Sequence, residues 1–344
     1  MLDATPGGIS SAVDRAVADG REGGWVVETA HDPFLLLATA AAARTPLHLG
    51  TAVAVAFART PMLVALAGND LQIATGGKFI LGLGSQVRPH IERRYSMPWE
   101  KPVGRMREFV RAVHAIWDSW ESGGRLNFRG EYYTHTLMTP TFSPGPNPFG
   151  RPPIYLGALG PAMTAVAGEI ADGLVVHRLM SERFLREVTM PSIERGLAQR
   201  DRPLTRPFQI VYPPFVAAAE SEDDLSGQLA EIRSQIAFYA STPAYRSVLD
   251  VHGWGAIGEE LNAMARQGQW DAMASLVPDE MVETFAVLTQ PHRMKEDLAK
   301  RFEGLVDRMI LYPPFRPSPM PGNPADGFEA PERLPAVPLR SDIK

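Results

Sequence analysis

His31 lies just beyond the apolar run Trp25-Val26-Val27, three residues after Glu28. An imidazole exchanges protons near neutral pH, and a neighbouring carboxylate can orient it or carry the proton itself. His31 and Glu28 are therefore candidate acid/base groups at the end of a strand. His177 follows a second apolar run, Gly173 to Val176, and is the next choice for the same work. A structural or solvated ring is the alternative at both positions.

The run Phe79-Ile80-Leu81-Gly82-Leu83-Gly84-Ser85 adds a binding feature. It reads as a short buried strand leading straight into a glycine turn. Gly82 and Gly84 let the backbone approach a ligand closely or take positive φ. In a parallel α/β protein such a turn sits at the carboxyl end of a strand, where ligands bind. A tight turn with no ligand is the plainer reading. Two nucleotide signatures fail on spacing. The dinucleotide fingerprint needs a third glycine where Val87 stands, and the phosphate loop needs Ser or Thr where Phe79 follows Gly77-Lys78.

Other chemistries are excluded by composition. The chain has no cysteine, hence no disulfide, thiolate metal site or cysteine nucleophile. Its eight histidines show no metal-ligand spacing, so no metal is expected. No Gly-x-Ser-x-Gly elbow occurs. Net charge is -5 with no basic block, which argues against nucleic acid and anionic membrane as partners. The most apolar stretch, Phe34 to Ala43, is too short to span a bilayer, and residues 1–10 are polar and glycine-rich, unlike a leader. Cytoplasmic residence is the expectation.

The elements that position these residues alternate between strand and helix. Trp25 to Val27 is a strand, and Pro33 to Arg44 a helix with proline in its first turn. His48 to Val55 is a β-run. Thr60 caps a helix that starts at Pro61 and ends at the Gly76-Gly77 C-cap. After the strand at Phe79, helical spacing places Met106, Val110, Val113, Trp117 and Trp120 in the core, with Arg107, Arg111 and Asp118 opposite. Residues 125 to 153 break the alternation with a hairpin about Arg129-Gly130 and a proline-rich loop. It resumes with strands at Ile154 to Ala158 and Gly173 to Val176, helices from Pro161 and Ser181, and a long strand from Phe208 to Ala219. Helices fill 223 to 304, and Arg308 to Tyr312 is the last strand. Repeated βα units imply a parallel sheet, open or closed. Seven strands follow residue 25, and only Met1 to Thr5 can supply an eighth. The tail from Pro313 is proline-rich and aperiodic, and is expected to wrap the surface or be partly disordered.

Several blocks resemble bacterial luciferase-like monooxygenases. They are Trp25 to Thr29, Leu49 to Val53, Arg59-Thr60-Pro61, Gly76 to Gly84, Gly160-Pro161 and Ala167 to Gly173. The stretch Glu28 to Phe34 is most similar to an actinobacterial branch that uses the deazaflavin F420. The resemblance implies a (β/α)8 TIM barrel over residues 1–312. It implies a mid-chain insertion at about 122–153, a possibly truncated first strand, and a tail at 313–344. It implies F420, or alternatively FMN, across the carboxyl end of the barrel. The matching ring-supporting bulge, with a non-proline cis peptide, falls on Thr51-Ala52. Gly84 and Ser85 belong to the same cofactor-binding face. The matching phosphate site runs through Gly157, Ala158, Leu159, Gly160 and Met163, where Pro161 starts a helix whose free N–H groups attract an anion.

In related enzymes a histidine directly follows the acidic residue; here that place is Thr29 and His31 comes two residues later. Where the sugar-phosphate branch carries a glutamate, this chain has Val87, so a sugar phosphate substrate is not expected. Arg88, His90, Arg93 and Arg94 either meet the acidic tail of F420 or form a solvated face. The implied activity is hydride transfer between F420 and a small organic molecule. An FMN-dependent monooxygenase and a non-catalytic cofactor-binding barrel are the other readings. The resemblance also implies a homodimer, to which unpaired edges beside a minimal first strand and the alanine- and leucine-rich early helices would contribute.

Overall fold

The computed structural model describes residues 1–2 and 5–312; the expectations for the tail lie outside the described residues. Strands β1 (Gly23–Val26), β2 (His48–Thr51), β3 (Ala54–Val55) and β4 (Phe79–Gly84) come first. A small hairpin, β5 (Phe128–Arg129) and β6 (Thr134–His135), interrupts them. Then follow β7 (Ile154–Ala158), β8 (Gly173–Val176), β9 (Gln209–Tyr212), β10 (Phe215–Ala218), β11 (Ala286–Thr289) and β12 (Arg308–Met309). The main sheet runs β1-β2-β4-β7-β8-β9-β12 with β3 also on β4, and every pairing in it is parallel. β10 and β11 form a separate parallel ladder with Phe215 opposite Ala286.

The sheet is curled. Trp25, Ile80, Tyr155, Val175, Val211 and Ile310 come from six places along its width, yet they pack into one buried cluster. Strands lie about 4.8 Å apart, so β1 and β7, three steps apart, would hold their side chains far from one another in a flat sheet. The rings of Trp25 and Tyr155 instead meet at 6.4 Å between centroids. The opposite faces of these strands carry Leu49, Leu81, Leu156, Leu174 and Val176 into the outer core, where the helices cover them.

Those helices are α1 (Ile9–Ala18), α2 (Pro33–Ala42), α3 (Pro61–Ala74), α4 (Pro102–Ser122), α5 (Pro161–Ile170), α6 (Glu182–Phe184), α7 (Met190–Leu197) and α8 (Glu222–Ala240), with five more after them among the described residues. Start signals act as their chemistry requires. The Asp32 carboxylate accepts from the Phe34 and Leu35 N–H groups, the Thr60 hydroxyl accepts from Leu63, and a proline follows each cap. Gly76 and Gly77 take positive φ after α3. In α4 the expected stripe of Met106, Val110, Val113, Trp117 and Trp120 is buried. Each such side chain contributes about 1.5–3 kcal/mol.

Four expectations need correction. A further strand exists at Ala286–Thr289, inside the stretch read as helical. The long strand at 208–219 is two, because Pro213 and Pro214 lack the N–H groups a ladder needs. The helix from Ser181 is α6 and α7 joined by a wider turn at Leu185–Thr189. Finally, Met1 and Leu2 form no strand, yet they bridge the sheet's ends. The Met1 ammonium donates to Leu311 O at 2.6 Å and the Leu2 N–H to Trp25 O at 2.9 Å.

Candidate functional site

The carboxyl ends of the parallel strands bring the predicted residues to one end of the sheet. Between β2 and β3 the chain bulges, and a non-proline cis peptide joins Ala52 to Val53, one bond later than the expected Thr51-Ala52. Thr51 is buried. Its hydroxyl donates to Gly82 O at 2.6 Å and accepts from Gly82 N–H at 2.8 Å. This explains the glycines of β4 differently from the sequence reading. Neither Gly82 nor Gly84 takes positive φ. A Cβ on Gly82 would lie 1.9 Å from Thr51 O, and one on Gly84 2.5 Å from Val53 Cγ2. A Cβ on Gly157 would lie 3.0 Å from Val53 Cγ1. The small residues make room for the bulge, whose Ala52 and Val53 pack on the interior cluster of the sheet.

Glu28 anchors the loop after β1. Its Oε2 accepts from Val55 N–H at 2.7 Å and from Arg59 Nη1 at 2.6 Å, and its Oε1 from the Tyr95 hydroxyl at 2.9 Å. Arg59 Nη2 reaches Asp32 Oδ2 at 2.6 Å. Two carboxylates therefore share one guanidinium, which raises the Arg59 pKa against the opposing effect of its burial. The Glu28 side chain is only 6% exposed and is fully engaged in this network. His31 lies on the same loop between the two carboxylates and is exposed. Arg94 holds the loop from the other side, donating to Thr29 O. Arg59, Asp32 and Tyr95 were not singled out from the sequence as site residues.

Next along the sheet is a cleft of about 480 Å³. Ser85, Gln86, Val87 and Arg88 line one side, Gly160, Pro161, Ala162 and Met163 another, and Trp99, Pro102, Val103 and Ala244 complete it. Gln86 makes the turn in the left-handed region at φ 60°, and its Oε1 accepts from Val87 N–H at 3.0 Å. Gly160 caps α5 with no side-chain partner, and a Cβ there would meet nothing within 4 Å. Pro161 has no N–H, so the Ala162 and Met163 amides are the donors left free by helix geometry. Gly157 and Ala158 pair with Val175 and Val176, and Leu159 points into the core. Arg88 pairs with Glu92 at 2.9 Å.

His177 and Arg178 follow β8. Leu179 N–H donates to His177 Nδ1 at 3.1 Å, which puts the ring proton on Nε2. The ring stacks on Tyr245 at 4.2 Å and meets the edge of Tyr239 at 4.7 Å. Burial, with the Arg178 cation beside it, pushes its pKa down to about 3. These surroundings favour the neutral ring with its proton on Nε2. Arg178 itself went unnoticed in the sequence, although a cation two residues after a fully apolar strand was the available signal. Among the described residues no group of three or more metal-ligating side chains occurs, and no helix is long and apolar enough to cross a membrane.

A curled parallel sheet has carboxyl ends that frame an apolar cleft, with a helix start opening into it, and this is where α/β proteins commonly hold small ligands. A family model described as luciferase-like monooxygenase matches residues 11–308, and the chain belongs to that family. It is 47% identical over 308 residues to an uncharacterized protein of Mycobacterium tuberculosis, covering 89% of this chain and 90% of the relative. It is 27% identical over 276 residues to the 5,10-methylenetetrahydromethanopterin reductase of Archaeoglobus fulgidus, covering 79% and 78%. Among solved structures, the coenzyme F420-dependent tetrahydromethanopterin reductase from Methanopyrus kandleri shares the fold. Its TM-score is 0.72 over 91% of both chains at 21% identity. The homologues are oxidoreductases and monooxygenases of the luciferase-like family.

Proposed function

We propose that this protein is an F420-dependent oxidoreductase acting on a small organic substrate. The observation that carries the reading is the cleft between the β4 turn and the start of α5, open at Gly160 and lined by free amides. Those features suit a flat ring with a phosphate-bearing tail, and relatives named as F420 enzymes support the choice of cofactor. When bound, F420 would supply hydride exchange at its C5.

The chain's own residues bind, orient and move a proton. The Ala162 and Met163 amides and the positive end of α5 hold the phosphate. The Ala52–Val53 bulge, Gly84 and Ser85 border the ring, with Gly157 to Leu159 contributing backbone. His31 carries the proton at its imidazole, while Glu28 keeps the loop in place through Arg59, Asp32 and Tyr95. The reading takes the curled sheet as an eight-stranded barrel and the protein as a cytoplasmic homodimer.

FMN-dependent monooxygenation is the second reading, favoured by the family's membership. Separate titrations with F420 and FMN, followed by cofactor fluorescence, distinguish them. Saturable binding of F420 is the expected result. Binding of FMN alone would make the protein a flavin monooxygenase. Binding of neither would remove the cofactor role and leave a non-catalytic barrel.

A further inference from the structure

The carboxyl-end mouth contains a cation with no counter-ion among the described residues. The guanidinium of Arg178 lies over two aromatic faces, 4.3 Å from the Phe215 centroid and 4.2 Å from that of Tyr312. Tyr312 in turn packs on the interior cluster of the sheet, so Arg178 lies one aromatic layer from that cluster. Its Nη1 donates to Gln235 Oε1 at 2.9 Å, a neutral acceptor. Its Nε is buried and finds no acceptor among the described residues. Burial away from water lowers its pKa, and the titratable groups around it are Tyr312, Tyr239 and Tyr212, which are uncharged at neutral pH.

A sheltered guanidinium without a carboxylate costs stability, and the fork of N–H donors matches an oxyanion. The preceding residue, His177, holds a second donor, because its accepting Nδ1 leaves the ring proton on Nε2. The ring of His177 stacks on Tyr245, whose neighbour Ala244 lines the cofactor cleft. Cleft, stacked rings and cation are therefore consecutive.

We propose that Arg178, with His177, is an oxyanion site that receives a carboxylate or phosphate group of the substrate. This rests on the reading of the cleft as the reaction site. The substrate class is then a small organic anion whose charged end is held over Tyr312 and Phe215 while its reacting carbon faces the cleft. The rings exclude water and give the guanidinium a fixed plane, so the site selects for charge and for planar bidentate geometry.

The test uses the full chain, with melting followed in inorganic phosphate, in acetate and in chloride at matched ionic strength. Wild type, Arg178→Met and Arg178→Lys are compared. A ligand that binds only the folded state raises the melting temperature. Wild type should be stabilised by phosphate, by acetate or by both, and the larger rise tells which oxyanion the site prefers. Arg178→Lys should keep a reduced response. Arg178→Met should lose the response and, without probe, melt no lower than wild type, because methionine fills the gap between the rings without an unpaired charge. No response to either anion in wild type, or an unchanged response in Arg178→Met, would overturn the proposal. F420 titration of Arg178→Met separates the two sites. Unchanged affinity is expected, whereas a loss of about tenfold would make Arg178 a ligand of the cofactor's acidic tail and also overturn it. If wild type binds neither F420 nor FMN, the cofactor reading fails by itself, and the anion response still decides the role of Arg178.

Discussion

A proton carrier must meet substrate or water, yet its backbone must be held still. His31 satisfies both needs, since its ring is exposed while Glu28 and Asp32 on either side are tied to Arg59. His31→Ala should lower kcat on the order of 10²-fold, the usual scale for general acid/base catalysis, and leave melting unchanged. Steady-state rates across pH provide the check; wild-type kcat with an unshifted profile would clear His31 of the role. A buried histidine behaves in the opposite way. His114 has its Nδ1 buried without a partner among the described residues, and burial pushes its pKa down to about 4. The unfolded chain binds that proton near pH 6.5, the folded chain only near pH 4, so acid favours unfolding throughout that window. Stability should fall as pH drops from about 6.5 to about 4, by on the order of 3 kcal/mol from this residue. His114→Phe should make the melting-temperature profile less steep over that range, with His177 keeping part of the slope; an equally steep profile would assign the acid sensitivity elsewhere. The histidine candidates at strand ends were legible because each follows an apolar run. Arg59 and Tyr95 were not, because they meet Glu28 from 31 and 67 residues away.

At the scale of elements, capping and periodicity are local signals, and they placed α2, α3, α4 and the strands around the cleft. β11 escaped because its four residues follow the helix Asp279–Phe285 directly, with Ala286 serving as both C-cap and first strand residue. No turn residue separates the two patterns. The meaning of the glycines escaped for a different reason, since it depends on what a neighbouring strand does. Gly82 and Gly160 look alike in sequence but occupy opposite situations. Gly160→Val should project into the open cleft and weaken cofactor affinity with little change in melting, which paired titration and melting experiments measure. Gly82→Ala has no such room beside Thr51 O. It should destabilise the fold by about 1–3 kcal/mol, the range for overpacked cores, and denaturant unfolding gives the value. Equal affinity of the Gly160 variant for F420 would move the phosphate site away from α5.

For the whole molecule, the expectation of association changes its footing. Met1 and Leu2 bridge the edge that was expected to be bare, which leaves fewer unpaired strand groups there to pair with another copy. What remains is the apolar surface of α2 and α3, where Leu35 is 72% and Leu63 57% exposed. Two such faces related by a two-fold axis would cover each other. Sedimentation should show twice the mass of one chain, and Leu35→Glu with Leu63→Glu should halve it. A wild-type monomer at micromolar concentration that still binds cofactor would remove the dimer.

The clamp formed by Glu28, Asp32 and Arg59 has one more consequence. It works like the two abutments of an arch, with residues 29–31 as the span. Loads are carried at the abutments, so the span can be rewritten one residue at a time without bringing down the structure. A lineage can thus try different reactive groups at positions 29, 30 and 31 while its scaffold stays intact. Saturation mutagenesis should find these three positions permissive for folding and the three clamp residues intolerant, and catalytic novelty in this architecture would accumulate in the span.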